Sequence, residues 1–179
     1  MTQNKEKSKF RSFLDKKGIT LSPKLYFVDA MSAMALGLFA SLLMGTIFGT
    51  VAKYIPDGNA IREFFDLLAG AGGATGAVIG IAIAYALKAP MLVMLSAGVV
   101  GMFGNAYGST LMFEGAAKSV TAGPLGAFVC VLLAVEIGKL VSKTTKVDIL
   151  VTPAVTLGAG ALVAMLLCPG IAHLMYWLG

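Results

Sequence analysis

Long apolar runs separated by short polar segments organise this chain. Each run is close to or longer than the roughly 20 residues that a helix needs to cross the hydrocarbon core of a bilayer. Only a few residues, including Lys88 and Pro90, separate the second run from the third, which predicts a tight antiparallel turn. The pattern predicts an all-α polytopic membrane protein with about five transmembrane helices. The third run is the shortest of the predicted spans, which are Val28–Ala52, Leu67–Leu87, Met91–Tyr107, Ala122–Val141 and Val151–Trp177.

The polar start of the chain differs from the rest. Residues 1–27 are rich in Lys and Arg, which predicts a basic N-terminal segment ahead of a transmembrane helical domain at 28–179. Phe10, Phe13 and Leu14 lie among basic residues in a spacing that suits a short amphipathic helix on the membrane surface. A solvated positive flank that only fixes orientation explains the same residues, so both interpretations stay open.

The amino-acid composition indicates which solvent surrounds most of the chain. The chain has 179 residues, of which 58% are hydrophobic and 13% are charged. A soluble domain carries about 25% charged residues, so this chain has too little polar surface to enclose one core in water. The lipid bilayer is therefore the first partner, and nucleic acid is excluded as one. Cys130 and Cys168 lie in apolar runs without the spacing of a metal site, so we expect no metal and no cofactor.

The distribution of basic residues predicts the orientation in the membrane. Basic loops resist translocation and stay inside. If the N-terminus is inside, the outer segments hold only Lys53, Arg62 and Lys118, and the inner segments hold the other eleven of the 14 Lys and Arg. This asymmetry predicts a cytoplasmic N-terminus and a C-terminus on the outside.

Small residues recur every fourth position along the first and fourth predicted helices. This spacing lets the backbones of two helices approach closely. Close packing within a bundle competes here with a helix that lines a pore or moves. The residues that we assign to helix packing are Gly37, Ser41, Gly45, Gly49, Gly126 and Gly138.

Glu136 is the first candidate for contact with a solute, because it lies inside the fourth apolar run. A carboxylate in lipid costs a few kcal/mol and is a functional candidate by default. Lys139 follows three residues later, so a local ion pair that holds the helix end is one interpretation. The other is a carboxylate that faces a polar cavity.

A polar segment broken by glycines follows the third helix. It predicts either a re-entrant segment that offers backbone groups to a solute or an ordinary loop in which Glu114 and Lys118 form a solvated pair. In the first interpretation the segment is the main solute-binding region. Its candidate substrate-binding residues are Asn105, Tyr107, Ser109, Thr110 and Glu114, to which Glu136 is added from the fourth helix.

Motifs of catalysis are absent from the sequence. There is no Walker A motif, dinucleotide fingerprint, nucleophile elbow or HExxH pair. His173 is the single histidine and lies late in the fifth apolar run, where a hydrogen-bonded anchor explains it better than a phosphohistidine. We therefore predict that the chain is not an enzyme.

Three runs of sequence carry a resemblance to a known family. They are KGITLSPK at 17–24, YFVDAMSAMALGLFASLLMGT at 26–46 and VDILVTP at 147–153. They resemble the phosphotransferase-system enzyme IIC-like sugar transporter subunits, a family that includes perfringolysin-regulator-type membrane proteins. Members are about twice as long, so the resemblance implies an N-terminal half. It also implies permease architecture in a bacterial inner (plasma) membrane.

The expected function is a solute permease unit without catalytic activity. A small polar solute would occupy a polar pocket that opens alternately to the two sides as small-residue helix faces slide. The expected protein partner is a second copy of the chain in a homo-oligomer, or a second transporter half. A membrane-embedded regulatory or sensor protein is the alternative, and a scaffold that only assembles a complex is a third. Solute flux separates the first of these from the other two.

Overall fold

The computed structural model describes residues 12, 14, 16–19, 22–113, 116–144 and 147–178, and only the backbone of 109–113 and 116–119. The described chain forms an antiparallel helical bundle with one short β-hairpin, which confirms the predicted all-α membrane fold. In chain order its elements are α1 (Leu25–Ala52), α2 (Ala60–Ala86), α3 (Met91–Ala106), β1 (Gly108–Phe113), β2 (Ala116–Thr121), α4 (Gly123–Val141) and α5 (Asp148–Leu178).

Four of these helices, α1, α2, α4 and α5, are long and apolar enough to cross a membrane. Helix α3 is apolar but has 16 residues, a length of about 24 Å at the usual rise per residue. It lies at the centre of the bundle, in contact with α2, α4 and α5. Helix α1 packs mainly on α2 at the edge.

The helices begin and end for local reasons. The Asn59 side chain accepts a hydrogen bond from the Ile61 amide at 3.0 Å and caps α2. This cap starts α2 at Ala60, before the apolar run that begins at Leu67. Pro90 precedes the first residue of α3 and so ends the turn from α2.

The first two helices contain irregular turns where they meet. Helix α1 widens into π-helical turns at Leu25–Asp29 and Phe39–Leu43, and α2 tightens into a 3₁₀ turn at Gly70–Ala74. The second π turn contacts the 3₁₀ turn. Just beyond it, a side-chain carbon added at Gly45 would come within 2.7 Å of the Gly72 backbone nitrogen. The irregular turns therefore bring two backbones close together.

The segment after α3 is a two-stranded antiparallel hairpin, which the sequence did not predict. Gly108 pairs with Thr121 at its base, and Phe113 pairs with Ala116 near its tip. Both strands contact α5. Pairing the two strands satisfies the hydrogen-bonding groups of their backbones within the segment itself. A re-entrant position in the bilayer stays a prediction.

The core is narrow and the exterior is apolar. Buried side chains from α2, α3 and α4 meet along the bundle axis, among them Ile79, Ile83, Val100 and Val131. Large apolar side chains cover the outside of every helix, as expected where lipid replaces water. Here and below, the basic end of the bundle is the end at which α1, α3 and α5 begin and α2 and α4 finish.

Candidate functional site

A buried ion pair occupies the last turns of α4, at the basic end. Lys139 Nζ donates to Glu136 Oε1 at 3.1 Å, and the two side chains are 0% and 17% exposed. Lys139 Nζ also lies 3.4 Å from the carbonyl oxygen of Gly18, in the N-terminal segment. The ammonium of Lys139 is thus held between its own helix and the segment that precedes α1.

Two buried polar atoms beside this pair have no hydrogen-bond partner among the described residues. They are Glu136 Oε2 and the hydroxyl oxygen of Tyr26, on α1. The Tyr26 hydroxyl nevertheless interacts with the Glu136 carboxylate, both electrostatically and as a hydrogen-bond donor, in a geometry outside the usual limits. An unpaired buried polar group costs about 1–3 kcal/mol. Oxygen atoms of a carboxylate and a phenol each accept more than one hydrogen bond, so both atoms retain capacity for a further partner.

A cavity of about 410 Å³ adjoins the pair at the basic end. Its lining comes from the N-terminal segment, the turn between α2 and α3, and the end of α4. Lys17 closes one side by donating from Nζ to the carbonyl oxygen of Ser142 at 2.8 Å. The lining residues that the structure describes are Lys16, Lys17, Gly18, Lys88, Pro90, Lys139, Ser142 and Lys143, and none of these is acidic.

Two of these lysines have a backbone conformation that normally favours glycine. Lys88 has a φ of 55° and Lys143 a φ of 60°, the two positive values among described residues other than glycine. Such a conformation costs roughly 1–2 kcal/mol for a residue with a side chain. Lysine rather than glycine therefore occupies both turns at an energetic disadvantage.

Hydrogen bonds hold the Lys88 turn in place. The Lys88 amide donates to the Tyr85 carbonyl and the Ala89 amide to the Ala84 carbonyl, each at 2.9 Å. This pair of bonds is the Schellman arrangement, in which the left-handed residue follows the helix end.

The Lys143 turn is tied to the start of α5. The Asp148 carboxylate accepts hydrogen bonds from the Lys143 amide at 2.9 Å and from the Thr152 hydroxyl at 2.5 Å. The Thr144 amide donates to the Val141 carbonyl at 3.2 Å. These bonds fix the backbone of Lys143 and leave its exposed side chain at the cavity rim.

The structure separates Glu136 from the candidates after α3. A side-chain carbon added at Gly104 would come within 3.0 Å of Gly126, and one added at Gly138 would contact Val93. Asn105 is therefore level with the start of α4, and about 15 Å of helix separates that level from Glu136. The predicted pocket that combines the two regions is not formed by the described residues.

Of the other candidates after α3, the structure describes the side chains of Tyr107 and Asn105. Tyr107 is 43% exposed and borders an apolar cavity of about 340 Å³ with Phe103 and Met165. Asn105 is partly buried next to Gly76 on α2. The side chains of Ser109 and Thr110, and all of Glu114, lie outside the described residues.

The small residues assigned to packing face neighbouring helices. Added carbons would press on backbone of α2 at Gly37 and Gly45, on Ala69 at Gly49, on Gly104 at Gly126, and on Thr156 and Val93 at Gly138. Ser41 is buried and donates from its hydroxyl to the Gly37 carbonyl at 2.7 Å.

Sequence reasoning missed three residues of this site. Tyr26 reaches Glu136 only through tertiary packing of α1 on α4. Lys88 and Lys143 were counted for orientation, although each directly follows a predicted helix end, where a left-handed residue is common. That position is the signal that could have drawn attention to them.

An apolar helical bundle with a buried ion pair and one strongly basic end defines an integral membrane protein with a polar interior site. Residues 28–179 match the family model described as Phosphotransferase system, EIIC, and the chain belongs to this family. It is thus a membrane subunit of sugar-transporter type. No curated protein and no solved structure matches the chain.

Proposed function

We propose that this chain is a solute permease unit that moves a small polar solute, of the sugar class, without chemically changing it. Family membership supports the class of solute and the membrane location. The chain would supply binding groups and a moving helical interface. Any phosphoryl transfer would belong to a partner subunit, because the described site holds no exposed nucleophile suited to it.

The observation that carries this proposal is the buried contact between the Glu136 carboxylate and the Tyr26 hydroxyl, whose oxygen atoms have no further hydrogen-bond partner among the described residues. A sugar presents hydroxyl groups that both donate and accept. A carboxylate oxygen accepts from such a hydroxyl, and a phenol can donate to one. The other oxygen of the same carboxylate binds Lys139, whose ammonium has two oxygen contacts. The site is therefore suited to orient a polyol.

The orientation and the assembly also belong to the proposal. We place the basic end on the cytoplasmic side, because basic segments resist translocation. A second copy in the same orientation, or a second transporter half, would complete the solute path. An inverted copy does not fit so uneven a charge distribution.

Flux in proteoliposomes tests the proposal. Radiolabelled monosaccharides and disaccharides are the probes, and Tyr26→Phe is the variant. The variant removes only a hydroxyl, whose described contact is the Glu136 carboxylate, and keeps the aromatic ring, so we expect the fold to be retained. Loss of one hydrogen bond of about 1 kcal/mol should raise the half-saturating solute concentration about fivefold. Tyr85→Phe is the matched control, because Tyr85 is 76% exposed on the outside of α2.

The possible results of this experiment lead to different conclusions. Saturable uptake that Tyr26→Phe weakens and Tyr85→Phe leaves unchanged supports the permease. Absence of saturable uptake for every probe rejects it and favours the regulatory alternative. Uptake that Tyr26→Phe does not alter would remove Tyr26 from the site.

A further inference from the structure

We infer that the lysine-lined cavity at the basic end is a binding site for a phosphate-bearing anion. The inference does not rest on the proposed transport, because it is tested by binding alone, although the cavity adjoins the Glu136–Lys139 pair and shares Lys139 with it. Its residues come from distant parts of the chain: Lys16 and Lys17 from the N-terminal segment, Lys88 after α2, and Lys139 and Lys143 at the end of α4.

Among the residues that the structure describes, few negative charges compensate the lysines around this cavity. Lys139 has Glu136 as its partner, but the other four lysines have no carboxylate oxygen within 4 Å among the described residues. Asp148 interacts with Lys17 and Lys143 at longer range while its carboxylate is bound to an amide and a hydroxyl. Asp29 borders the neighbouring cavity rather than this one. An anion with more than one negative charge would relieve this repulsion.

The backbone gives a second, independent reason. Lys88 and Lys143 occupy left-handed positions that glycine would adopt without strain, and both side chains border the same cavity. Packing does not account for either lysine, because both are exposed. Their ammonium groups at the cavity rim are the feature that a glycine would lack.

The size and the chemistry of the cavity indicate the ligand class. About 410 Å³ is enough for a phosphate group together with the first atoms of the molecule that carries it. Lysine binds phosphate as a compact point charge with three donors, and several lysines can share the oxygens of one phosphate. The bond from Lys17 to Ser142 holds the N-terminal segment along one side of the site.

Two sources can supply this chemistry, a lipid headgroup or a soluble phosphate compound. The experiment therefore has two arms, both on the full chain in nanodiscs. In the first arm, nanodiscs of phosphatidylcholine are titrated with inorganic phosphate and binding is measured by calorimetry. In the second arm, the chain is extracted from bilayers that contain phosphatidylglycerol, and native mass spectrometry measures the lipid retained.

The test variant is Lys88→Gly combined with Lys143→Gly. Glycine suits both left-handed positions, so we expect the thermal midpoint to be unchanged or higher. Each lost ammonium should weaken binding about tenfold. The matched control is Lys24→Gln with Lys53→Gln, which removes the same charge from exposed lysines outside the cavity lining. We expect the control to bind as the parent chain does.

The outcomes separate the sources. Saturable phosphate binding that only the glycine variant loses assigns the site to a soluble anion. Lipid retention that only the glycine variant loses assigns it to a headgroup. If neither probe binds, or if the control loses binding as strongly as the glycine variant, the inference is wrong. Lys88→Asn, which also tolerates the left-handed conformation, repeats the comparison if the double variant does not fold.

Discussion

At the scale of single residues, the pairing of Lys139 with Glu136 decides whether a charge can be buried in this bundle. An isolated ammonium in an apolar interior is strongly disfavoured. Here it meets one carboxylate oxygen and one carbonyl oxygen. Such a pair adds little net stability, but removing one member leaves the other uncompensated. The pair is therefore better understood as a condition for placing Glu136 next to Tyr26 than as a source of stability.

Removing the two charges separately and together tests this interpretation. Lys139→Met alone should lower the free energy of unfolding by about 3 kcal/mol, because the Glu136 carboxylate loses its partner. Lys139→Met with Glu136→Gln should recover most of that loss. Thermal unfolding in detergent measures both, with Lys53→Met as a control for loss of an exposed lysine. A double variant no more stable than Lys139→Met would show that the charge pairing is not the reason.

At the scale of helices, glycine determines how closely neighbouring elements approach. Gly76 and Gly80 of α2 face the backbone of α3, where an added side-chain carbon would collide with the Gly101 and Ala97 carbonyl oxygens. Gly104 and Gly126 bring α3 against α4 in the same way. Close backbone contact supplies the dispersion energy that helix association in lipid requires. The central position of α3 depends on these contacts.

Single methyl groups should therefore have opposite effects at different glycines. Gly45→Ala and Gly126→Ala place a carbon against the backbone of a neighbouring helix and should lower the thermal midpoint in detergent. Gly158→Ala is the matched control on α5, because no atom lies within 4 Å of the added carbon. It should be neutral or stabilising by up to about 1 kcal/mol from helix propensity. Equal effects at all three positions would contradict a packing role.

At the scale of the whole molecule, charge is concentrated at one end. Among the described residues, the basic end holds five lysines around one cavity, whereas at the opposite end Asp57, in the loop before α2, pairs with Arg62 in the first turn of α2. The two ends therefore differ in the balance of charged side chains. That difference is the physical basis of the proposed orientation.

Cysteine labelling with an impermeant reagent tests the orientation. Tyr54→Cys, at a position that is 85% exposed at the end of α1, should react from outside intact cells. Thr144→Cys, between α4 and α5, should react only after the membrane is opened. The native Cys130 and Cys168 are buried and give little background. The reverse labelling pattern would contradict a cytoplasmic basic end.

How far the sequence predicts this molecule depends on the range of the interactions involved. Helices α4 and α5 begin within three residues of their predicted starts. Helices in lipid need continuous apolar runs, and polar residues, prolines and glycines mark where these runs begin and end. Glu136 was found because a charge inside such a run stands out. The contact of Tyr26 with Glu136 was not predicted, because it depends on how α1 packs against α4. The hairpin at Gly108 was also missed. Its strands are so short that their alternation of apolar and polar residues cannot be distinguished from the pattern of a loop.

The length of α3 links this protein to the thickness of its membrane. A helix of about 24 Å is shorter than a hydrocarbon layer of about 30 Å, and β1 follows it almost directly. If α3 crosses the bilayer, the polar backbone of the hairpin lies within the acyl region or the bilayer thins around the bundle. Bilayers of longer acyl chains would make either arrangement more costly. The acyl-chain length of the host membrane is thus part of the energetics of this fold.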